Sequence, residues 1–222
     1  MGRIQRYRKS LANGLLFHKI LQLFTSAGIV IEPYYFYQEL LPPEVTPVTD
    51  RRFEDFEFFE AGIGDADGIA DLNPNADLRK EIQEDFTRGR RCFALRRGHE
   101  IVAASWCNTR EIHFPPCRRP LGDNEAYLYR METPPQYRGH DLAPYLRTKC
   151  HEFLNSSGRE LLYSYTDYFN RPAVRFKEKI GARILFVGLY VELFGMVKKN
   201  WILSRKQDLT GSAKPAPEPS CP

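Results

Sequence analysis

Several features are scarce in this chain of 222 residues, and each absence excludes a class of protein. No run of about 18 apolar residues occurs, so the sequence predicts no membrane-spanning helix. The five cysteines are odd in number and include no CxxC pair, which argues against a zinc site and favours reduced thiols. We therefore expect no metal.

Charge of one sign is not in excess either. The formal net charge is +4, and the aromatic residues are not interleaved with a basic stripe, so nothing indicates nucleic-acid binding. A mildly basic chain suits an anionic ligand, an acidic membrane surface or no particular partner. With 42% hydrophobic and 27% charged residues, the composition is that of a globular protein. Reduced thiols are typical of a cytoplasmic location, which we expect here.

The amino-terminal segment contains a candidate amphipathic helix. Residues 11–27 have a helical period with a wide apolar face, and basic residues precede them. Such a helix lies in a membrane interface, packs on the protein's own core or contacts a second subunit, and the pattern leaves these alternatives open. His18, Lys19 and Gln22 interrupt the apolar stretch, which argues against a signal peptide.

Composition divides the chain into three parts. Residues 31–48 contain four prolines and a run of four aromatic residues, which predicts an irregular aromatic connector packed on the main domain. We therefore assign residues 1–50 to an extension and residues 51–205 to one domain. The remainder, residues 206–222, is rich in Lys, Pro, Ser, Glu and Ala and is predicted to be a disordered tail.

Periodicity predicts alternating strands and helices within the domain. The order favours an α/β (α+β) fold, with a mixed and mostly antiparallel sheet flanked by helices. Residues 109–123 contain three prolines and are predicted to form a loop. The predicted strands are 53–60, 91–96, 100–108, 125–132, 161–166, 182–194 and 196–204, and the predicted helices are 64–71, 76–88, 141–156 and 171–179.

A polar turn at residues 136–141 lies between a predicted strand and a predicted helix. Free backbone N–H groups at the start of a helix carry partial positive charge and bind phosphate. Gly139 permits close approach of a ligand to the backbone, and Arg138 or His140 adds positive charge. The turn is therefore a candidate anion site, although a strand-to-helix turn without a ligand is the alternative.

Two segments resemble the signatures of the GNAT acyltransferases. Arg138-Gly139-His140-Asp141-Leu142-Ala143 resembles the family's acyl-CoA-binding turn, Arg/Gln-x-x-Gly-x-Gly/Ala. Residues 170–182 resemble its second signature, Asn-x-x-Ala-x-x-Phe/Leu-Tyr-x-Lys-x-Gly-Phe. The resemblance covers residues 53–204 and implies a GNAT fold that uses acetyl-CoA or another acyl-CoA as co-substrate.

The sequence departs from the family pattern at three positions. Asp141 replaces the first glycine of the turn, where its carboxylate either caps the helix or weakens CoA binding. Lys177 replaces the tyrosine that many members use as general acid, and Ala182 replaces a common aromatic residue.

The resemblance implies where the cofactor lies. In this family the pantetheine arm pairs with a strand that carries a bulge and splays from its neighbour, so that a gap admits the thioester. Asn170 is expected to contact the pantetheine, to cap its helix, or both. The implied cofactor residues are Tyr129, Arg130 and Met131 on the strand, Arg138, Gly139, His140, Asp141, Leu142 and Ala143 in the turn, and Asn170.

Direct acyl transfer needs a general base and a general acid. Glu125 is the candidate base, because its offset from Arg138 is that of the catalytic glutamate in the histone-acetylating members. Burial near apolar walls would raise its pKa, whereas a solvated carboxylate at a strand end is the alternative. With Lys177 at the tyrosine position, Tyr165 and Tyr168 are the candidate acids.

The resemblance therefore implies an acyl-CoA-dependent N-acyltransferase that acts on a small-molecule amine. Phe86, Tyr190 and Phe194 are expected to line an apolar acceptor wall. One alternative is a membrane-associated acyltransferase of lipid or surface-polysaccharide metabolism that uses a longer acyl-CoA or acyl carrier protein. A second is a non-catalytic GNAT-like module. Peripheral membrane contact through residues 11–27 and a homodimer also remain open.

Overall fold

The computed structural model describes residues 24–25, 27–39, 51–73, 76–114 and 117–205. Most of the predicted amphipathic helix, most of residues 40–50 and the predicted tail beyond residue 205 lie outside these ranges. Their predicted structures therefore stay predictions.

The described residues form one large sheet, a small hairpin and four α-helices. Eight strands pair in the order β10-β9-β1-β8-β7-β4-β3-β2, and among them only β7 and β8 are parallel. The predicted mixed, mostly antiparallel sheet is therefore confirmed. The strands are β1 (Ile29–Glu39), β2 (Glu57–Ala61), β3 (Arg91–Arg97), β4 (Glu100–Asn108), β5 (Glu111–Phe114), β6 (Cys117–Pro120), β7 (Glu125–Glu132), β8 (Leu161–Asp167), β9 (Arg183–Leu193) and β10 (Val197–Arg205), and the helices are α1 (Ala66–Ala70), α2 (Ala76–Thr87), α3 (Leu142–Ser156) and α4 (Arg171–Lys179).

Residues 31–39 were expected in an irregular connector, and this expectation is wrong. They belong to β1, which lies inside the sheet and pairs with β8 on one side and β9 on the other. Both faces of β1 are covered, so aromatic residues occupy consecutive positions and the alternation that marks a half-buried strand is lost. Pro33 strengthened the misleading loop signal, although it pairs with Leu189 in β9.

Close contact between Tyr34 and Gly188 fixes β1 against β9. The Tyr34 side chain is fully buried, and its hydroxyl donates to Asn200 Oδ1 at 3.1 Å. A Cβ at position 188 would lie 2.2 Å from Tyr34 Cζ, so only glycine leaves room for the ring.

The predicted loop at residues 109–123 is also a wrong expectation. Strands β5 and β6 pair as an antiparallel hairpin, which packs Phe114 against the aromatic face of the sheet. The Phe114 ring centroid lies 4.7 Å from that of Tyr165 and 5.4 Å from that of Tyr34. Pro120 lies at the end of β6 and pairs with Glu111.

The helices form layers on both sides of the sheet. Helix α3 packs Leu146, Cys150 and Leu154 onto one face, and α1 and α2 cover part of the other face with Ile69 and Ile82. The β5–β6 hairpin packs on another part of that second face. We call the region between α2 and the hairpin the valley; Tyr129 lies there and contacts the clusters on both sides.

A buried group of charges ties β1 to α3 and α4. Glu39 is fully buried and accepts from Lys177 Nζ, while its other oxygen lies 2.8 Å from His151 Nε2 and 3.5 Å from Arg147 Nε. Burial alone would raise the pKa of Glu39, but Arg147, Lys177 and His151 hold it well below its usual value. Burial lowers the pKa of Lys177 to about 8, although Glu39 opposes that shift.

We predict that Glu39→Gln destabilises the protein by about 3 to 5 kcal/mol, because buried cations would lose their counter-charge. The folded pKa of Glu39 lies below its unfolded value of 4.5, so its contribution is present above that pH and is lost on further acidification. Urea unfolding as a function of pH measures both effects. The control is Glu57→Gln, which removes an exposed carboxylate paired with Arg96. Equal small losses in both variants would contradict the prediction.

Candidate active site

A bulge in β7 opens the sheet at its centre. Ser105 of β4 pairs with Met131 and Trp106 pairs with Tyr129, so Arg130 is an extra residue without a partner in β4. Its φ of 42° is in the left-handed region. The extra residue turns the strand locally, as β-bulges do.

Beyond the bulge, β7 and β8 are no longer paired. Their parallel register runs from Glu125↔Leu161 to Leu128↔Ser164 and ends there. The backbone of residues 129–131 therefore has no strand partner on its β8 side among the described residues. The expected bulge is therefore present, and the backbone donors and acceptors beside it lack a strand partner on the β8 side.

Ion pairs to α2 hold the bulge in place. Arg130 donates to Glu81 Oε2 at 2.6 Å and to Asp85 Oδ2 at 3.1 Å. The Tyr129 hydroxyl donates to the same Asp85 oxygen at 3.3 Å, and Arg90 also pairs with Asp85, which is buried. A left-handed conformation at a non-glycine residue is unfavourable, so these contacts offset its cost.

The polar turn lies where β7 leads into α3. Gly139 has a φ of 83°, and a Cβ added to it would meet no heavy atom within 4 Å, so its backbone faces open space. Asp141 is also left-handed, with a φ of 60°, and α3 begins at Leu142. A depression of about 240 Å³ lies here, between the starts of α3 and α4, and is lined by Gly139, Ala143, Arg175 and Lys179.

Asp141 does not cap α3, so that alternative is wrong. Its side chain makes no capping hydrogen bond, because the left-handed backbone directs it elsewhere. The carboxylate accepts from Lys179 Nζ and lies 3.9 Å from Arg52 Nη1. Two cations at the turn thus offset its negative charge.

The other turn residues have distinct environments. Arg138 donates from Nε to the Thr133 carbonyl at 2.9 Å, so its side chain folds back toward β7. His140 lines a second depression of about 530 Å³ on the β2 side, and Leu142 is buried in the core. Asn170 caps α4 as predicted, because its Oδ1 accepts from Ala173 N at 3.2 Å.

Glu125 differs from the expected base. It is 5% exposed and accepts from both Nη atoms of Arg119, at 2.8 and 3.2 Å, and from Gly122 N at 2.8 Å. Burial alone would raise its pKa, but these donors and the Tyr163 hydroxyl lower it. The expected raised pKa is therefore wrong, because the sequence did not show that Arg119 would reach it.

The two candidate acids lie on opposite faces of the sheet. Tyr165 is the first β8 residue beyond the segment that pairs with β7, and its ring contacts Tyr34 and Phe114. Burial raises its pKa, with further contributions from Glu32 and Asp167. Tyr168 instead stacks on Tyr35 at 4.9 Å between ring centroids.

Glu32 is a site residue that the sequence interpretation missed. It lies in β1, on the face that also carries Tyr34 and Tyr165, and burial raises its pKa. The negative charges of Asp167 and Glu192 raise that pKa further. Assigning residues 31–48 to a connector hid it, since the strand period that places Glu32 on this face was not recognised.

The expected acceptor wall is divided between separate regions. Phe86 packs on Trp106, Tyr190 is buried in the aromatic cluster beneath the hairpin, and Phe194 is 64% exposed. Tyr127 and Tyr129 stack on each other with 5.7 Å between ring centroids, and Tyr129 packs against the clusters of both α2 and the hairpin.

Solved structures share this architecture. An acetyltransferase of the GNAT family from Novosphingobium aromaticivorans superposes with a TM-score of 0.51 at 20% identity, covering 75% of this chain and 66% of that chain. A GNAT-family acetyltransferase from Colwellia psychrerythraea gives 0.51 at 14% identity, covering 74% and 57%. A Drosophila protein gives 0.51 at 16% identity, covering 79% and 56%. No family model and no curated protein matches the sequence.

The chain therefore has the fold of the GNAT-family acetyltransferases. It spans from 56% to 66% of the length of these three structures. In the described part of the chain, no group of three or more His, Cys, Asp or Glu residues is placed to hold a metal ion. No helix among the described residues is long and apolar enough to cross a membrane.

We predict that Glu125→Gln lowers the free energy of unfolding by about 1.5 to 3 kcal/mol, because a charged hydrogen-bond acceptor is lost. The folded pKa of Glu125 is below its unfolded value of 4.5, so its contribution is lost as the pH falls below that value. Denaturant unfolding at neutral and acidic pH measures the difference. Asp123→Asn in the turn that precedes β7 is the control, and an equal effect there would contradict the prediction.

Proposed function

We propose that the protein is an acyl-CoA-dependent N-acyltransferase, with acetyl-CoA as the expected donor, that transfers the acyl group directly to a small amine. The observation that carries the proposal is the bulge at Arg130, which opens β7 from β8 next to the Gly139 turn. An extended thiol arm would pair with the exposed backbone of Tyr129 and Met131. The pyrophosphate would bind the free amides at the start of α3.

Charge around the turn supports donor binding. Lys179 and Arg175 line the depression beside Gly139, and Arg52 lies near Asp141. The cations that offset the Asp141 carboxylate also suit a phosphate, so Asp141 need not prevent binding. Arg138, His140 and Ala143 supply the remaining backbone of this site. Asn170 contributes indirectly, because it caps α4, the helix that carries Arg175 and Lys179.

Glu32 fits the general-base role better than Glu125 does. Its pKa is raised by burial and by neighbouring carboxylates, whereas the Glu125 carboxylate is held by Arg119. A base with a raised pKa is better matched to removing a proton from an ammonium group near neutral pH. We therefore assign the proton transfer to Glu32 and a structural role to Glu125.

The reaction follows from this assignment. Glu32 takes a proton from the ammonium group, and the free amine forms a bond to the thioester carbonyl carbon. A backbone N–H at the bulge stabilises the oxyanion. The carbon–sulfur bond then breaks, and Tyr165, which its raised pKa keeps protonated until then, donates a proton to the leaving thiolate. The attacking nitrogen loses its second proton to the Tyr165 phenolate, and Glu32 releases its proton to solvent. The products are an amide and CoA.

The other expected properties stay predictions. Membrane contact through residues 11–27 concerns a segment that lies almost wholly outside the described residues. A homodimer would be consistent with the exposed apolar side chains of Phe194, Met196 and Trp201 near the β10 edge. Donor chain length, a carrier-protein donor and the cytoplasmic location are likewise untested.

The first test is donor binding. We expect acetyl-CoA at millimolar concentration to raise the melting temperature of the protein, because a ligand that binds only the folded state stabilises it. Gly139→Ala should reduce this rise, since alanine disfavours the positive φ that presents the turn amides. Gly98→Ala is the matched control, because Gly98 also has a positive φ in open space. No rise in the unaltered protein, with acetyl-CoA or a longer acyl-CoA, would contradict the proposal.

The second test is turnover. We expect Glu32→Gln to slow CoA release with an amine acceptor by about 10²- to 10⁴-fold while acetyl-CoA still raises the melting temperature. In the unaltered protein the rate should fall as the pH drops through the raised pKa of Glu32, because the protonated carboxyl accepts no proton. Thiol release across a panel of amines measures both. Glu152→Gln, a surface change on α3, is the control. Full activity in Glu32→Gln would exclude this base.

A further inference from the structure

A concave surface at one end of the valley is rich in arginine. The depression measures about 620 Å³, and its lining includes Arg88, Arg90, Arg110 and Arg118. These residues come from three separate segments: the chain after α2, the turn after β4, and strand β6. The fold therefore brings together cations that are distant in sequence.

Contacts of Gly89 and Asn108 shape this surface. Gly89 turns the chain after α2 with a φ of 70°, and the Arg110 guanidinium lies over it, so that a Cβ there would be 3.4 Å from Nη2. Asn108 Oδ1 accepts from Arg110 N at 3.0 Å and from Glu111 N at 3.3 Å. These contacts fix the turn that presents Arg110 to the depression.

The cations of the depression are not fully neutralised. Arg88 pairs with Glu84 at 3.2 Å and Arg118 pairs with Glu111 at 2.6 Å. Arg90 pairs with Asp85, which it shares with Arg130 of the bulge.

Arg110 makes no side-chain hydrogen bond or ion pair to any of the described residues, so positive charge remains in excess. Guanidinium groups that converge on one concave surface match the geometry of an oxyanion.

The depression adjoins the proposed reaction centre. The Arg90 guanidinium lies 5.8 Å from the centroid of the Tyr129 ring, and Asp85 connects Arg90 to Arg130. Tyr129 is one of the residues that we expect the thiol arm to contact. A small molecule whose amine reaches the bulge can therefore extend a second group toward the arginines.

We propose that this depression binds an oxyanion of the acceptor, a phosphate or a carboxylate, so that the acceptor is an amine with an acidic group. The acceptor role rests on the proposed function, whereas oxyanion binding does not.

The test is calorimetric titration of the full chain with inorganic phosphate and, separately, with succinate, at ionic strength held constant with chloride. We expect at least one of them to bind, and Arg110→Gln and Arg118→Gln each to weaken binding about tenfold, as loss of a charged hydrogen bond does. The tighter of the two ions identifies the acidic group. Arg79→Gln is the matched control, because Arg79 is an exposed α2 arginine that pairs with Asp67 and Asp71.

Binding of neither ion, or binding that Arg110→Gln and Arg118→Gln leave unchanged, would overturn the proposal. If phosphate bound at the Gly139 turn instead, Gly139→Ala would weaken phosphate binding and Arg110→Gln would leave it unchanged. Acetyl-CoA is measured in parallel by its effect on melting temperature, which Arg110→Gln should preserve. Arg110-dependent oxyanion binding without any effect of acetyl-CoA would support the site and contradict the proposed function.

Discussion

Arg130 adds one residue to β7 opposite β4, and its side chain is held by Glu81 and Asp85 of α2. The register of the central strands is thereby broken at one point, and pairing with β8 stops after Leu128. Everything proposed for the site depends on that break, because a fully paired sheet would leave no backbone groups for a ligand. The ion pairs make the bulge a fixed part of the fold, since they oppose a return to regular pairing.

The position of β1 is a second constraint. This strand enters between β8 and β9 and fills the centre of that half of the sheet with aromatic side chains. One face of β1 carries Glu32 and the buried Tyr34, and the other ends in the buried Glu39. The charge group around Glu39 anchors this strand to α3 and α4. The same strand therefore carries Glu39, which stabilises the fold, and Glu32, the proposed general base.

Charge is distributed unevenly along the valley beside the bulge. Carboxylates gather around Glu32, at the far end of β8, while arginines gather after α2 and on the hairpin. Asp85 binds arginines from both the depression and the bulge. Charged groups that complement the charges of a ligand give specificity more than affinity.

The sequence by itself determined the elements whose signals are local. The strand that became β7, the capped helix after Asn170 and the glycine turn at Gly139 could be predicted from alternation, capping and backbone freedom. The mixed sheet followed from their order.

Tertiary structure decided what depends on partners distant in the chain. The sequence could not show that residues 31–39 would be buried on both faces, because burial on both faces removes the alternation that marks a strand. It likewise could not show that Arg119 would bind Glu125, or that Asp167 and Glu192 would raise the pKa of Glu32. A pKa is set by the charges and burial around a group, and only the folded chain brings those neighbours together.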